Sequence, residues 1–552
     1  MESNKIVLYQ IFTRLYGNRN TTRKENGTIE ENGCGKMNDF TPASLKKIKE
    51  MGVSHIWYTG IIRHATQTDY SAYGIPKNHP AVVKGKAGSP YAIADYYDVD
   101  PDLAVDVNSR MPEFEQLVER THKAGLKVII DFVPNHVARQ YHSICKPEGV
   151  KDLGEGDNPQ IGFDPRNNNF YYCPGERFTP YFDLYHGEDE PYIEEPAKAT
   201  GNDCFHNAPG MNDWYETVKL NYGVDYYAGR VGHFNPIPDT WSKMTDILLF
   251  WAKKGVDGFR CDMAEMVPAE FWSWATDKVK FIYPEKIFIG EVYDPNQYRN
   301  YLAAGFDYLY DKVGMYDTLR EVIRGNQSTH TITGAWQATD DIRDHMLYFL
   351  ENHDEQRIAS SFFAGDAEKG VPGLIVSALL QQNPLMLYAG QEYGERGMDR
   401  EGFSGNDGRT TIFDYWSIDT LTRAAQRKLT AQEKHLKDIY NKVVNLARTE
   451  KAVTDGVSFD LMYVNGHLHS QYAFLRKAGA EVLLVVANFE DHPVETQVNI
   501  PGHAFDYLSL KEKAAQATDL LTGEKHKLAL KRDEAVTLPL PKNGALVLKF
   551  RA

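Results

Sequence analysis

Cysteine is scarce in this 552-residue chain, with five residues, Cys34, Cys145, Cys173, Cys204 and Cys261, an odd number and no CxxC pair. That excludes a disulfide framework or a module of paired zinc ligands, and it fits reduced thiols in a cytoplasmic protein. Positive charge is also in deficit. A net charge of −15 gives a surface field that repels phosphate backbones and anionic lipid, so no nucleic-acid partner is expected. Long apolar runs are missing too. One of the longer, Ile247 to Ala252, stops at Lys253 and Lys254, far short of the roughly 20 residues of a membrane span. The start, Met1 to Lys5 running into Ile6-Val7-Leu8, lacks the basic segment and long apolar stretch of a secretion leader.

What is present is alternation. From residue 5 to about 453, short apolar runs alternate with amphipathic helical patterns, as parallel strands joined by helical crossovers do. Phe114, Leu117, Val118 and Ala124 share a helical face, Gly125 ends that helix, and Leu126 to Asp131 reads as a strand. Trp241, Met244, Ile247, Leu248 and Trp251 repeat the pattern before Gly255 and the strand Val256 to Asp262. Candidate strands near residues 6, 54, 127, 257, 287, 306, 347 and 385 are what an eight-stranded β/α (TIM) barrel needs. A last helix with Leu436, Ile439, Tyr440, Val443, Val444 and Ala447 on one face would complete the ring.

Two stretches break the alternation. The connection between Asp131 and Pro238 runs to roughly 100 residues where such links usually take about 2 to 6, and it is rich in Asn, Gly, Pro and aromatics. An irregular inserted subdomain after the third strand is expected. Beyond about residue 455 short strands alternate with turns, as in a small β-sandwich. The expected division is 1–136 and 238–455 for the barrel, 137–237 for the insert and 456–552 for the C-terminal domain.

Active sites of β/α barrels lie at the C-terminal ends of the strands. Four strands end in charged residues, at Asp131-Phe132-Val133-Pro134-Asn135-His136, Gly258-Phe259-Arg260-Cys261-Asp262, Ile289-Gly290-Glu291 and Phe349-Leu350-Glu351-Asn352-His353-Asp354. Asp262 and Glu291 are about one strand-helix-strand unit apart, which puts them on adjacent strands at one mouth. Cleaving a glycosidic bond with retention uses two carboxyls about 5 to 5.5 Å apart, one a nucleophile and one a protonated donor. Arg260, two residues before Asp262 on the same strand face, is placed to keep Asp262 ionised, which makes Asp262 the nucleophile and Glu291 the acid. His136 and His353 are suited to hydrogen-bond sugar hydroxyls. Each feature has a plainer alternative: a lone strand-end carboxylate is commonly a helix cap, and a histidine or tyrosine commonly only packs.

These motifs, in this order and at strand ends, resemble those of glycoside hydrolase family 13, the α-amylase family, over the whole barrel. A fifth family motif resembles Phe234-Asn235-Pro236-Ile237-Pro238-Asp239. The resemblance implies Asp262 as nucleophile, Glu291 as general acid/base and Asp354 as the carboxylate that binds sugar hydroxyls. It implies Arg260, His136 and His353 as their partners, and Tyr91, in Pro90-Tyr91-Ala92-Ile93-Ala94-Asp95-Tyr96, as a ring that stacks on the sugar. Asn135 matches a position that often ligates a structural calcium, and the loop with Asn18 and Asn20 is similar to a second calcium loop; no cofactor is expected for the chemistry itself.

Two departures matter. Met263-Ala264-Glu265-Met266 lacks the Lys-His that typical α-amylases carry at its last two positions, so acceptor contacts do not transfer. Exo-acting α-glucosidases of the family carry an aspartate three residues before the tyrosine, where this chain has Gly88; an endo-acting α-1,4-glucan hydrolase is therefore expected. A 4-α-glucanotransferase or other transglycosylase uses the same residues, and a non-catalytic glucan-binding protein shares only the fold.

Overall fold

The computed structural model describes residues 5–552; the leader reading at Met1–Asn4 falls outside them. Eight parallel strands close a barrel: β1 (Val7–Phe12), β2 (His55–Thr59), β3 (Lys127–Phe132), β4 (Gly258–Cys261), β5 (Ile287–Gly290), β6 (Tyr308–Tyr310), β7 (Met346–Phe349) and β8 (Leu385–Tyr388), with β8 pairing back onto β1. Each lies within two residues of a run read from the sequence. The strands are buried on both faces, which is why they are written as apolar runs rather than alternations. Inside the barrel Leu8, Trp57, Ile129, Ile289, Leu347, Phe349 and Met386 pack together.

The helices follow their sequence signals. Phe114, Leu117 and Val118 are buried on Arg110–Lys123, and Gly125, at φ 74°, supplies the left-handed turn behind it. The last barrel helix, Ala431–Thr449, starts at a capping box in which Thr430 and Glu433 satisfy each other's backbone N–H groups. It buries Leu436, Tyr440, Val443, Val444 and Ala447.

Between β3 and the helix Asp239–Lys253 the chain makes only short ribbons, His136–Ala138 with Thr217–Lys219, Tyr172–Cys173 with Ala197–Lys198, and Val224–Asp225 with Val231–Gly232. A lobe with so little ladder needs other ties. Arg139 supplies one: buried over the Phe178 ring, it donates to the Tyr215 carbonyl, to Glu194 at 2.7 Å and to Thr200 at 2.7 Å. A second excursion, which the sequence reading did not count as strands, pairs Ile62–His64 with Ile93–Val99 outside the barrel. Asp95 and Asp98 interrupt its apolar pattern, and both are buried on Arg63, with Arg110 also on Asp98.

The C-terminal domain has β9 (Val457–Asp460), β10 (Gln471–Ala478), β11 (Glu481–Asn488), β12 (Val494–Ile500), β13 (Lys513–Asp519), β14 (Lys525–Leu530), β15 (Glu534–Leu540) and β16 (Gly544–Arg551). They form a six-stranded sheet in the order β9-β10-β11-β16-β13-β14, with a ribbon of β12 and β15 beside it. This sheet and the barrel share one apolar core. The helix Val371–Leu379, every residue of which is buried, packs on β7 and also on β11 and β16. At the seam the buried Arg476 of β10 donates to the carbonyls of Leu380, Ala452, Val453 and Gly456, and burial pulls its pKa down to about 10. No helix among the described residues is long and apolar enough to cross a membrane.

Candidate active site

At the C-terminal ends of the strands lies a cavity of about 400 Å³ whose lining includes Tyr91, His136, Asp262, Met263, Glu291, Tyr293 and Asp354. Asp262 directly follows β4 and Glu291 directly follows β5; their backbone N–H groups continue the ladder onto the carbonyls of Phe132 and Cys261. Rigid strand ends therefore hold both carboxyls.

Arg260 connects them. Fully buried, it donates through Nη1 to Asp262 Oδ1 at 2.8 Å, and its Nη2 stands 2.8 Å from Glu291 Oε2. Its Nε donates to the Tyr310 hydroxyl at 3.1 Å, Asp131 lies 3.4 Å from Nη1, and the Trp57 ring packs against the guanidinium. The sequence assigns Arg260 to Asp262 alone; the structure divides it among three carboxyls, those of Asp262, Glu291 and Asp131. Burial is the largest influence on Asp262 and pushes its pKa well above the usual range; Arg260 opposes this, and Glu291, Asp131 and Asp354 add to the rise. Arg260 thus favours the ionised form of Asp262, the direction the strand-face argument expects, against burial and three neighbouring carboxyls.

Glu291 is held by two further donors, the Tyr293 hydroxyl on Oε1 at 2.7 Å and the Met263 N–H on Oε2 at 2.8 Å. Met263 is aimed by a left-handed backbone, φ 43° and ψ 44°, a conformation costly for a side chain with a Cβ. The sequence reading missed both. Tyr293 is legible in hindsight as the next same-face residue after Glu291, whereas nothing in a methionine announces left-handed backbone.

His353 and Arg260 lie behind the lining rather than on it. His353 Nδ1 accepts from the Gln10 amide at 2.8 Å, which leaves the proton on Nε2, within 2.7 Å of the Tyr91 hydroxyl and 3.0 Å of Asp354 Oδ2. The Tyr91 ring stacks on His353 with centroids 5.2 Å apart. Against the upward push of burial, His353, Arg260 and Arg409 draw the Asp354 carboxyl down to about 2. His136, packed against Trp214, is pushed down to about 3, first by burial and then by the charge of Lys219, so it is a neutral imidazole at ordinary pH. Asn135 donates to its Nδ1 at 3.1 Å, leaving Nε2 as its remaining donor.

Asn135, expected as a calcium ligand, does not fit that role. Its Oδ1 accepts from the buried Lys219 ammonium, which also pairs with Asp203 at 2.7 Å, and its Nδ2 donates to the Gly201 carbonyl. A cation already on the chain takes the oxygens an ion would need. The oxygens of Asn18 and Asn20 accept from the N–H groups of Asn20 and Thr22, so that loop is closed by turns of its own. Two groups of metal-ligand residue types do lie together among the described residues, Asp95-Asp98-Cys145 and Glu490-Asp491-His492. In the first, Arg63 and Arg110 supply the counter-charge, and burial pushes the Cys145 thiol up to about 11.

Gly88 has a structural reason. At φ 79°, an added Cβ would lie 1.8 Å from the Ala65 carbonyl oxygen, so the backbone there excludes any side chain.

Comparison with known proteins gives a family match over most of the chain. Residues 10–451 match the family described as alpha amylase, catalytic domain, and residues 463–551 match the alpha amylase C-terminal all-beta domain. The α-amylase MalA of Haloarcula japonica is 25% identical over 96% of this chain, which spans 60% of that protein's length. A cyclomaltodextrin glucanotransferase of Geobacillus stearothermophilus is 23% identical over 87% of this chain and 59% of its own. The crystal structure of the maltogenic α-amylase AmyB of Thermotoga neapolitana superposes with a TM-score of 0.65 at 19% identity, covering 100% of both chains.

Proposed function

The chain belongs to the α-amylase family, and we propose that it is a retaining hydrolase that cleaves internal α-1,4 bonds of maltooligosaccharides or glycogen- and starch-type chains. One observation carries this: a single buried guanidinium contacts both Asp262 and Glu291 at 2.8 Å in a cavity large enough for a sugar ring. Two carboxyls on the same guanidinium are close enough for double displacement.

In the first step Glu291 gives its proton to the glycosidic oxygen while an Asp262 oxygen attacks the anomeric carbon. The bond to the leaving chain breaks and a glycosyl ester forms. In the second, Glu291 takes a proton from water as the water oxygen attacks the same carbon, which frees Asp262 and leaves the α-anomer. This cycle needs one proton and one negative charge in the pair. Burial and the neighbouring carboxyls push the Asp262 pKa up, and Arg260, 2.8 Å from both members of the pair, opposes them and stabilises the negative charge that attacks. In the substrate complex Glu291 faces the glycosidic oxygen, which is the acceptor for its proton. Asp354, ionised and fixed by His353, accepts from sugar hydroxyls; neutral His136 donates to another; Tyr91, braced on His353, offers a ring face. These residues supply the proton transfers, the nucleophile and the sugar contacts of both steps on an α-glucan.

The five unpaired thiols support a reducing, cytoplasmic setting. The relatives' names divide between hydrolases and a glucanotransferase, and the two activities differ in whether water or a sugar hydroxyl opens the ester. Time-resolved digestion of maltoheptaose tests the proposal. Early maltose, maltotriose and their complements are expected; glucose with maltohexaose would make the enzyme exo-acting, and products longer than the substrate would make it a transferase.

A further inference from the structure

The two oxygens of Glu291 are held by different kinds of partner. Oε2 meets only groups that give: the Met263 N–H donates to it at 2.8 Å, and Arg260 Nη2 stands 2.8 Å away. Neither a backbone N–H nor a guanidinium has a lone pair to receive a hydrogen, so a proton on Oε2 would face another hydrogen and a cation. Oε1 differs. Its partner is the Tyr293 hydroxyl at 2.7 Å, and Tyr293, unlike Arg260, lines the catalytic cavity. A carboxyl oxygen has two lone-pair sites, so Oε1 can accept this hydroxyl on one and hold a proton toward the cavity on the other. Burial first, and then the charge of Glu291, push the Tyr293 hydroxyl well above its ordinary range, so it keeps its hydrogen and remains a donor.

Tyr293 is itself braced from the segment after β4 in which this chain departs from typical α-amylases. There Glu265 accepts the backbone N–H groups of both Tyr293 and Asp294 on its Oε2, each at 3.0 Å, and its own carbonyl accepts from the Tyr301 hydroxyl at 3.0 Å. The lysine that typical members carry at this position would offer those two N–H groups another donor. We propose that Glu291 carries its catalytic proton on Oε1, and that Tyr293, braced by Glu265, is a positioning residue for the transfer of that proton. This rests on the assignment of Glu291 as the acid. As the proton passes from Oε1 to the glycosidic oxygen, the bond from that oxygen to the anomeric carbon breaks, its electron pair stays with the oxygen, and an Asp262 oxygen bonds the carbon. Oε1 is left negative. The Tyr293 hydrogen bond, modest to a neutral acid, is charge-assisted to the carboxylate and about twice as strong. It gains strength only as the bond breaks, so it raises turnover rather than affinity.

The test is Tyr293→Phe, which removes only the hydroxyl, assayed on two leaving groups. On maltoheptaose, whose leaving sugar needs a proton, kcat should fall about tenfold with KM nearly unchanged. On nitrophenyl α-maltotrioside the phenolate leaves with little help from an acid, and kcat/KM, which reports formation of the glycosyl ester, should change by less than about twofold. Across aryl α-maltotriosides of increasingly basic phenols the loss should grow. Glu265→Ala should show the same one-sided loss, and Glu265→Gln, which keeps an acceptor oxygen, little of it. Equal losses on both substrates in Tyr293→Phe would mean that the hydroxyl serves structure alone, and an undiminished kcat on maltoheptaose would remove it from the proton transfer; either result overturns the proposal. Glu291→Gln checks the reading beneath it, because it should lose maltoheptaose far more than the aryl substrate. If it lost both equally, Glu291 would not be the acid and the proposal would fall with that assignment.

Discussion

Lys219 gives its ammonium protons to the side-chain oxygen of Asn135, joining the inserted lobe to the segment that follows β3. Burial pulls the Lys219 pKa down and its ion pair with Asp203 restrains the fall, so the charge is kept by its partners. The chain thus carries a fixed cation beside His136.

Activity and melting temperature should therefore be unchanged after dialysis against a chelator such as EDTA. Lys219→Ala should lower the melting transition, with a stability loss of roughly 1 to 3 kcal/mol, since it leaves the buried Asn135 oxygen without its donor and Asp203 with only the more distant Arg230. A loss of stability on dialysis that added calcium reverses would contradict the arrangement.

Asp262→Asn and Glu291→Gln should each lower turnover on maltooligosaccharides by several orders of magnitude while leaving the melting transition near that of the wild type, because each removes a transition-state role. Fresh product from the wild type, followed by proton NMR, should be the α-anomer. A β-anomer would mean inversion, and near-normal turnover in either variant would remove that residue from the chemistry.

Gly88→Asp should not turn the enzyme into one that trims single glucoses. The new Cβ meets the Ala65 carbonyl, and the left-handed backbone adds roughly 1 to 2 kcal/mol, so the variant should melt earlier and lose turnover as the loop carrying Tyr91 shifts. A stable Gly88→Asp enzyme that releases mainly glucose would show that the loop has room to spare.

Asp311 offers a pH test away from the site. Burial pushes its carboxyl up to about 6, the Met315 and Gly314 N–H groups opposing, and its Oδ2 has no hydrogen-bond partner. The folded chain then holds a proton that the unfolded chain releases above about pH 4. Stability from this group is highest at and below pH ~4 and falls as pH rises through about 6, by at most about 3 kcal/mol in all. Asp311→Asn keeps the Met315 bond and removes the titration. It should melt higher than the wild type at pH 8, with the gap closing toward pH 4; a gap independent of pH would refute the assignment.

The barrel was legible because its strands are short apolar runs and its helices bury a single stripe, as on Ala431–Thr449. The charged strand ends pointed to Asp262 and Glu291 for the same reason: strand order puts them at one mouth. What stayed hidden was pairing between distant groups. Lys219 lies 84 residues from Asn135, and no spacing rule joins them. The division of Arg260 among the carboxyls of Asp262, Glu291 and Asp131, and the turn at Met263 that brings an N–H onto Glu291, depend on how adjacent strand ends splay. The strands Ile62–His64 and Ile93–Val99 escaped notice because Asp95 and Asp98 break the apolar pattern and are neutralised only by the fold.

The helix Val371–Leu379 has no face made for water. It is tolerable only because β11 and β16 roof it while the barrel floors it, with Arg476 clamping the edge through four carbonyls. Two modules by sequence are thus a single thermodynamic body. A chain cut ahead of β9 would expose the apolar Val371–Leu379 helix and be prone to self-association.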